Sequence, residues 1–225
     1  MLKAVIFDMD GVIIDSEPIH RIVVKDLFKH LRISVTDKLI DSFVGTSPNQ
    51  MWTKLKNKYR LQQSITELTG MQGDRYINYF NYLLLQKETK PIPGVVELIK
   101  DLSKNKIKLA LASSSSIKNI GLVLEVFKLE RFFAAKVSGD EVDSGKPAPD
   151  IFIHALKSIC IHAEDCIVIE DSKNGIEAAK SAKIKCVGFC NVNSREQDLS
   201  CADVIIDSFL GVNYKKLCQF HSNIF

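Results

Sequence analysis

Ala4-Val5-Ile6-Phe7-Asp8-Met9-Asp10-Gly11 is the stretch on which the fold turns. Four apolar residues in succession, ended by two acids and a glycine, have the length and punctuation of a strand buried on both faces, not of a helix. Such a strand needs neighbours of its own kind, and similar runs recur at Ile107-Lys108-Leu109-Ala110-Leu111-Ala112, Cys166-Ile167-Val168-Ile169, Cys186-Val187-Gly188-Phe189 and Val204-Ile205-Ile206. Helical patterns lie between them, at Val95 to Lys104, Ile117 to Lys128, Asp150 to Ile159 and Gly175 to Ala182. Strands alternating with helices predict an α/β protein with a parallel sheet covered on both faces.

Residues 16–88 break the alternation. Ile19, Ile22, Val23, Leu27, Phe28 and Leu31 repeat at helical spacing, and further helical stretches follow at Asp37 to Phe43, Asn49 to Tyr59 and Thr66 to Gln86. Pro91-Ile92-Pro93-Gly94 then resets the chain direction. The expected organisation is therefore a core of residues 1–15 and 89–225 with an all-helical insert at 16–88.

Composition narrows the partners. The 225 residues carry 30 Lys and Arg against 27 Asp and Glu, a formal net charge of +3, which gives no reason to expect nucleic acid or an anionic membrane. With 46% hydrophobic residues and only 11 Gly and 6 Pro, the chain has the composition of a folded domain. Cys160, Cys166, Cys186, Cys190, Cys201 and Cys218 form no C-x-x-C pair and lie near no zinc-spaced histidines, so they are expected to be reduced. The sequence opens without a charged segment leading into a long apolar one, and no apolar run approaches a membrane span. A soluble, cytoplasmic protein is expected, and a monomer, because no unusual apolar helix face calls for association.

The chemistry gathers at strand ends. A D-x-D pair has little force alone, since about one arises by chance in a chain of this length. Asp8 and Asp10, however, follow directly on a buried strand, where open α/β sheets place their ligands. Alternation puts both acids on one side of the extended chain, where close carboxylates share a proton or bind a cation. Ser113-Ser114-Ser115-Ser116 offers hydroxyls and N–H groups ahead of a helix, as a phosphate cradle or simply as a loop with an N-cap. Lys146, in Gly145-Lys146-Pro147-Ala148-Pro149-Asp150, stands at a helix start, where a cation opposes the dipole. Glu170-Asp171 is a second acid pair after a buried strand, with Ser172 or Asp171 as the alternative reading of an N-cap. Carboxylates without paired His or Cys favour a hard ion such as Mg²⁺ over zinc. At about 4 Å a carboxylate facing one unit of phosphate charge costs roughly 4 kcal/mol at an effective dielectric of 20, so cations are needed nearby.

Taken in order, Asp8-Met9-Asp10-Gly11-Val12, the serine after the second strand, the Lys146 loop and Glu170-Asp171-Ser172-Lys173-Asn174-Gly175 resemble the four motifs of the haloacid dehalogenase superfamily. The likeness spans nearly the whole chain and is strongest to the β-phosphoglucomutase-like phosphatases and mutases. It implies a Rossmann-like, doubly wound parallel core with an inserted helical cap. It also implies that Asp8 attacks phosphorus to form an aspartyl-phosphate, that Asp10 protonates the leaving oxygen and then activates water, that Ser113 hydrogen-bonds a phosphoryl oxygen, and that Lys146 bridges nucleophile and phosphoryl group. Mg²⁺ would be held by Asp8, the Asp10 main-chain carbonyl and Asp171, with Glu170 in direct or water-mediated support. His20, Gly45, Thr46, Ser114 and Ser115 are the candidate substrate contacts, for a small phosphorylated metabolite of the sugar phosphate type. His20 reads equally as an ordinary helix-surface or hinge residue.

One departure matters. Pro48, Gln72 and Ser116 stand where the mutases place cations for a second phosphate, which favours hydrolysis over a phosphosugar mutase; Lys54, Lys56, Lys58 and Arg75 are the possible substitutes. A non-catalytic phosphate-binding module and a receiver-type phosphoacceptor fit the two acid pairs less well. The basic run Lys54-Leu55-Lys56-Asn57-Lys58-Tyr59-Arg60 reads as the solvated face of a helix.

Overall fold

The computed structural model describes residues 1–43, 46–193 and 197–223. β1 (Ala4–Phe7) opens the chain and is followed by four helices, α1 (Glu17–His30), α2 (Asp37–Asp41), α3 (Pro48–Tyr59) and α4 (Ile65–Leu85). Alternation then begins with α5 (Val95–Lys104), β2 (Lys108–Ser113), α6 (Ile117–Val126), β3 (Ala135–Ser138), α7 (Asp150–Ile159), β4 (Cys166–Glu170), α8 (Lys173–Ser181), β5 (Lys185–Phe189), β6 (Val204–Ile206) and α9 (Tyr214–Asn223). The six strands are parallel, in the order β3-β2-β1-β4-β5-β6.

The period of two explains the layering. Val5 and Phe7, Leu109 and Leu111, Ile167 and Ile169, Val187 and Phe189 point to one face, under α5, α6 and α9. Ala4 and Ile6, Ala110 and Ala112, Cys166 and Val168, and Cys186 point to the other, where smaller side chains admit α7 and α8. Burial on both faces is what made these strands legible as unbroken apolar runs. All six cysteines are free, with Cys166 and Cys186 in the core.

The strand order places the site. It reverses direction at β1, whose neighbours are β2 and β4, and a doubly wound sheet opens a crevice beyond the carboxyl ends of its strands at such a switch point. Asp8 lies one residue beyond β1, and Glu170 ends β4 beside it.

The helical segment leaves and re-enters at one place. Ile14 bridges Pro91, and Ile92 N–H donates to Ile13 O at 2.8 Å. Val24, Leu27, Phe28, Ile40, Met51, Trp52, Leu55 and Leu68 form a core of their own within α1–α4. Ile19 and Val23 of α1, and Tyr76 and Phe80 of α4, instead join the large cluster over the sheet, so these two helices are buried on two sides. Capping boxes Ser47–Gln50 and Ser64–Glu67 start α3 and α4, each worth about 1 kcal/mol. Two elements were not expected from sequence. β3 is a four-residue edge strand interrupted by Lys136, and α9 follows Asn213 with a mixed pattern.

Candidate active site

Asp8 is 5% exposed and Lys146 2% exposed, and the lysine Nζ donates to Asp8 Oδ1 at 2.5 Å and to Glu170 Oε1 at 2.6 Å. A third bond, to Ala112 O at 3.2 Å, ties the ammonium to the end of β2. The unfavourable helix-start position of Lys146 thus has a cause: the side chain turns inward to two carboxylates. Burial works against its charge, but Asp8 and Glu170 outweigh burial and hold the lysine protonated, its pKa raised. Burial dominates at Asp8, pushing its carboxyl well above the ordinary range; Lys146 opposes this, while Glu170 and Asp10 add to it.

Glu170 is held on both oxygens. Oε1 accepts from Lys146, and Oε2 accepts the N–H groups of Asp171 and Ser172 and the Ser172 hydroxyl. It fixes Lys146 and the turn after β4. Gly175 is required here, since a Cβ would stand 1.8 Å from Glu170 Oε1. Ser172 caps α8, as one of the sequence readings had it.

Asp10 faces away from this pair, toward α1 and the serine loop. Oδ1 accepts from Ser16 at 2.5 Å and lies 3.0 Å from His20 Nε2, and Oδ2 accepts from Ser115 at 2.7 Å and from Ser113 at 3.2 Å. Burial would raise Asp10, but His20 and the hydroxyl donors outweigh it and hold it at about 2. Burial likewise works against the His20 imidazolium, and Asp10 outweighs it, so the ring is held charged. The imidazole is stacked on Tyr76 of α4, with centroids 4.7 Å apart. The serine run divides its labour: Ser116 caps α6, Ser114 and Ser115 line the cavity over Asp8, and Ser113 sits fully buried behind Asp10.

The fit to a divalent cation can be tested on these residues. Asp8, Asp10, Glu170 and Asp171 gather at one buried site with Lys146 and His20, an acidic, oxygen-rich surrounding that a hard divalent cation would fit. Gly11 has φ +83°, and a Cβ there would stand 1.9 Å from Asp171 Oδ2, so the missing side chain is what lets the loop after β1 close on that carboxylate. Among the described residues no three His, Cys, Asp or Glu side chains form a metal-holding group. Asp8 and Asp171, with a main-chain carbonyl, could hold such a cation through hard oxygens.

The cavity above Asp8 is small, about 110 Å³, and reaches into α1–α4. Thr46 lines it, although its hydroxyl donates to Phe43 O at 2.6 Å; Gly45 lies outside the described residues. Pro48 and Gln72 line it where mutase cations were missed, and Gln72 Oε1 is taken by Trp52 Nε1 at 2.7 Å. The substitutes considered from sequence are elsewhere. Lys56 donates to Leu61 O and Gln63 O, Arg75 pairs with Asp26, and Lys54 and Lys58 lie over aromatic rings. Arg21, which sequence reading passed over as one more residue of a helix, lines the cavity but is ion-paired to Asp41 and Asp37.

A buried carboxylate bonded to a buried lysine, with a second carboxylate bonded to a histidine beside it, is equipment for hydrolysing an anionic ester. Residues 5–189 match the family model described as haloacid dehalogenase-like hydrolase, and the chain belongs to that family. It is 33% identical over 184 residues to the phosphorylated carbohydrates phosphatase of Thermotoga maritima, covering 82% of this chain and 83% of that protein. It is 32% identical over 192 residues to SUPPRESSOR OF QUENCHING 1 of Arabidopsis thaliana, covering 83% of this chain but only 18% of that protein. The crystal structure of β-phosphoglucomutase from Clostridium difficile superposes with a TM-score of 0.85 at 25% identity, covering 99% of this chain and 98% of that one. The chain is thus an enzyme of the phosphoric monoester hydrolase type.

Proposed function

We propose that the protein is a Mg²⁺-dependent phosphatase of a small phosphorylated metabolite, of the sugar phosphate type, working through an aspartyl-phosphate. The observation that carries this reading is the Asp8–Lys146–Glu170 chain, which holds a carboxylate and a cation together at the switch point of the sheet. An Asp8 oxygen attacks phosphorus as the bond to the leaving oxygen breaks, and that oxygen takes a proton from the Asp10–His20 pair. Asp10 is held low, so as a proton donor it draws on His20 across the 3.0 Å contact. Water, giving its proton back to the pair, then attacks the phosphoenzyme and releases phosphate and Asp8. Lys146 neutralises the nucleophile and the incoming phosphoryl group. Mg²⁺, held by Asp8, Asp171 and the Asp10 carbonyl, supplies further charge neutralisation when bound.

In this reading residues 16–88 form a cap that opens for substrate and closes against water, hinged where Ile13 and Ile14 meet Pro91 and Ile92. Gln50 Nε2, donating to Gly145 O at 3.2 Å, and Asn49, donating to Asp140 at 3.3 Å, join cap to core. Free thiols fit a cytoplasmic setting, and the enzyme acts as a monomer. The test is phosphate release from a generic phosphoester with Mg²⁺, expected for the native chain and absent from Asp8→Asn; activity in that variant would remove the nucleophile assignment. The name of the Clostridium relative raises the phosphosugar mutase as the alternative. Incubation with a hexose 1-phosphate and a trace of bisphosphate separates the two, by isomerised sugar or free phosphate. The commitment of Arg21 and Gln72 to partners within α1–α4 supports hydrolysis.

A further inference from the structure

Asn191, two residues beyond β5, reaches across to the loop that follows β1: its Nδ2 donates to Gly11 O at 2.9 Å, a contact between residues 180 apart in the chain. The orientation of the amide is settled by its other end. Oδ1 accepts the main-chain N–H of Asn193 at 2.9 Å, and an N–H can bond only the oxygen, so the NH₂ group must face Gly11. The segment carrying the amide is itself moored, by Cys190 N–H on Ile206 O of β6 at 2.7 Å and by Asn191 N–H on Phe189 O at 3.0 Å. Asn193 Nδ2 in turn donates to Asp15 Oδ2 at 2.5 Å.

What this amide holds is the freest joint of the active-site loop. Gly11 has φ +83° and no side chain to favour one conformation, so its backbone must be fixed by bonds from outside. Its N–H donates to Ile14 O at 2.7 Å, which orients the Asp10–Gly11 peptide and with it the Asp10 carbonyl; its own buried carbonyl accepts from Asn191. The two carboxylates suited to a cation are braced differently. Asp8 follows β1 directly and bonds Lys146, and Asp171 is held through its N–H by Glu170. We propose that Asn191 is a positioning residue for the cation: it locks Gly11, and through Gly11 the Asp10 carbonyl, in the loop that closes on Asp171. This rests on the Mg²⁺-dependent phosphatase reading for the presence of the ion.

The test is a titration with Mn²⁺, a hard ion that takes the same oxygen donors, read by the electron spin resonance signal of the free ion, on the native chain, Asn191→Leu and Asn193→Ala. Asn191→Leu nearly keeps the shape but loses the donor, and should bind Mn²⁺ about tenfold more weakly. Asn193→Ala loses the contact to Asp15 but keeps the main-chain N–H that orients Asn191, so its affinity should match the native value. Turnover separates positioning from general damage: Asn191→Leu should need about tenfold more Mg²⁺ for half-maximal phosphate release, with kcat at saturating Mg²⁺ within about twofold of the native value. An unmoved Mn²⁺ affinity in Asn191→Leu, an equal loss in Asn193→Ala, or a kcat that saturating Mg²⁺ does not restore would overturn the proposal and leave the phosphatase reading standing. A native chain that binds no Mn²⁺ would overturn both. The expected loss of Mn²⁺ affinity in Asn191→Leu, with no phosphate released from any ester by the native chain, would instead sink the phosphatase reading and leave the role of Asn191 standing.

Discussion

Lys146 in the core and Arg21 in the helical segment are both cations inside the same cavity wall, and the fold uses them in opposite ways. Lys146 is held between Asp8 and Glu170 at the carboxyl ends of β1 and β4, so that in the proposed reaction its charge acts where the anion arrives. Arg21 is instead ion-paired to Asp37 and Asp41 within the helices themselves. In the proposed reaction the strand ends supply the attacking carboxylate and its cation, and the helices supply His20, shape and hydrogen bonds.

The contrast can be broken most severely at Lys146. Lys146→Met leaves Asp8 and Glu170 buried without their cation, which should cost about 3–5 kcal/mol of stability in urea unfolding, with kcat/KM reduced by at least about 10³-fold. Gly11→Ala comes next. Its Cβ would strike the Asp171 carboxylate at a positive φ, so about 1–3 kcal/mol of strain and a loss of about 100-fold in kcat are expected, together with a higher Mg²⁺ concentration for half-maximal activity. His20→Gln should lower kcat about 10- to 100-fold toward an alkyl phosphate but much less toward 4-nitrophenyl phosphate, whose leaving group needs no proton. Equal losses on the two substrates would remove the proton relay. Gln50→Ala removes a bond at the joint between the two regions and half of the α3 capping box, and should raise KM about threefold with kcat nearly unchanged, stability falling by about 1 kcal/mol or less. If Gln50→Ala proved as damaging as Lys146→Met, the division between reactive strand ends and shaping helices would not hold.

Legibility in the sequence followed the same division. Asp8, Asp10, Lys146, Glu170 and Asp171 stand beside apolar runs or prolines that announce a strand end or a loop, and the structure brings all five to one edge. Their contacts were less legible: Glu170 bonds Lys146, and the Ser113 hydroxyl bonds Asp10 while Ser114 and Ser115 line the cavity. Tyr76 and Arg21 sit in helices where periodicity registers them only as part of a face, so nothing in their surroundings marked them. β3 was missed because a short edge strand carries a lysine that breaks the apolar run.

The sequence by itself determined the alternating core, the helical segment between Asp15 and Pro91 and the chemistry placed at each strand end, because side-chain period and turn residues act locally. Tertiary structure alone decided that β1 lies between β2 and β4, that His20 of α1 reaches Asp10, and that Asn191 beyond β5 reaches Gly11. Those outcomes depend on packing between elements distant along the chain, which no local pattern encodes.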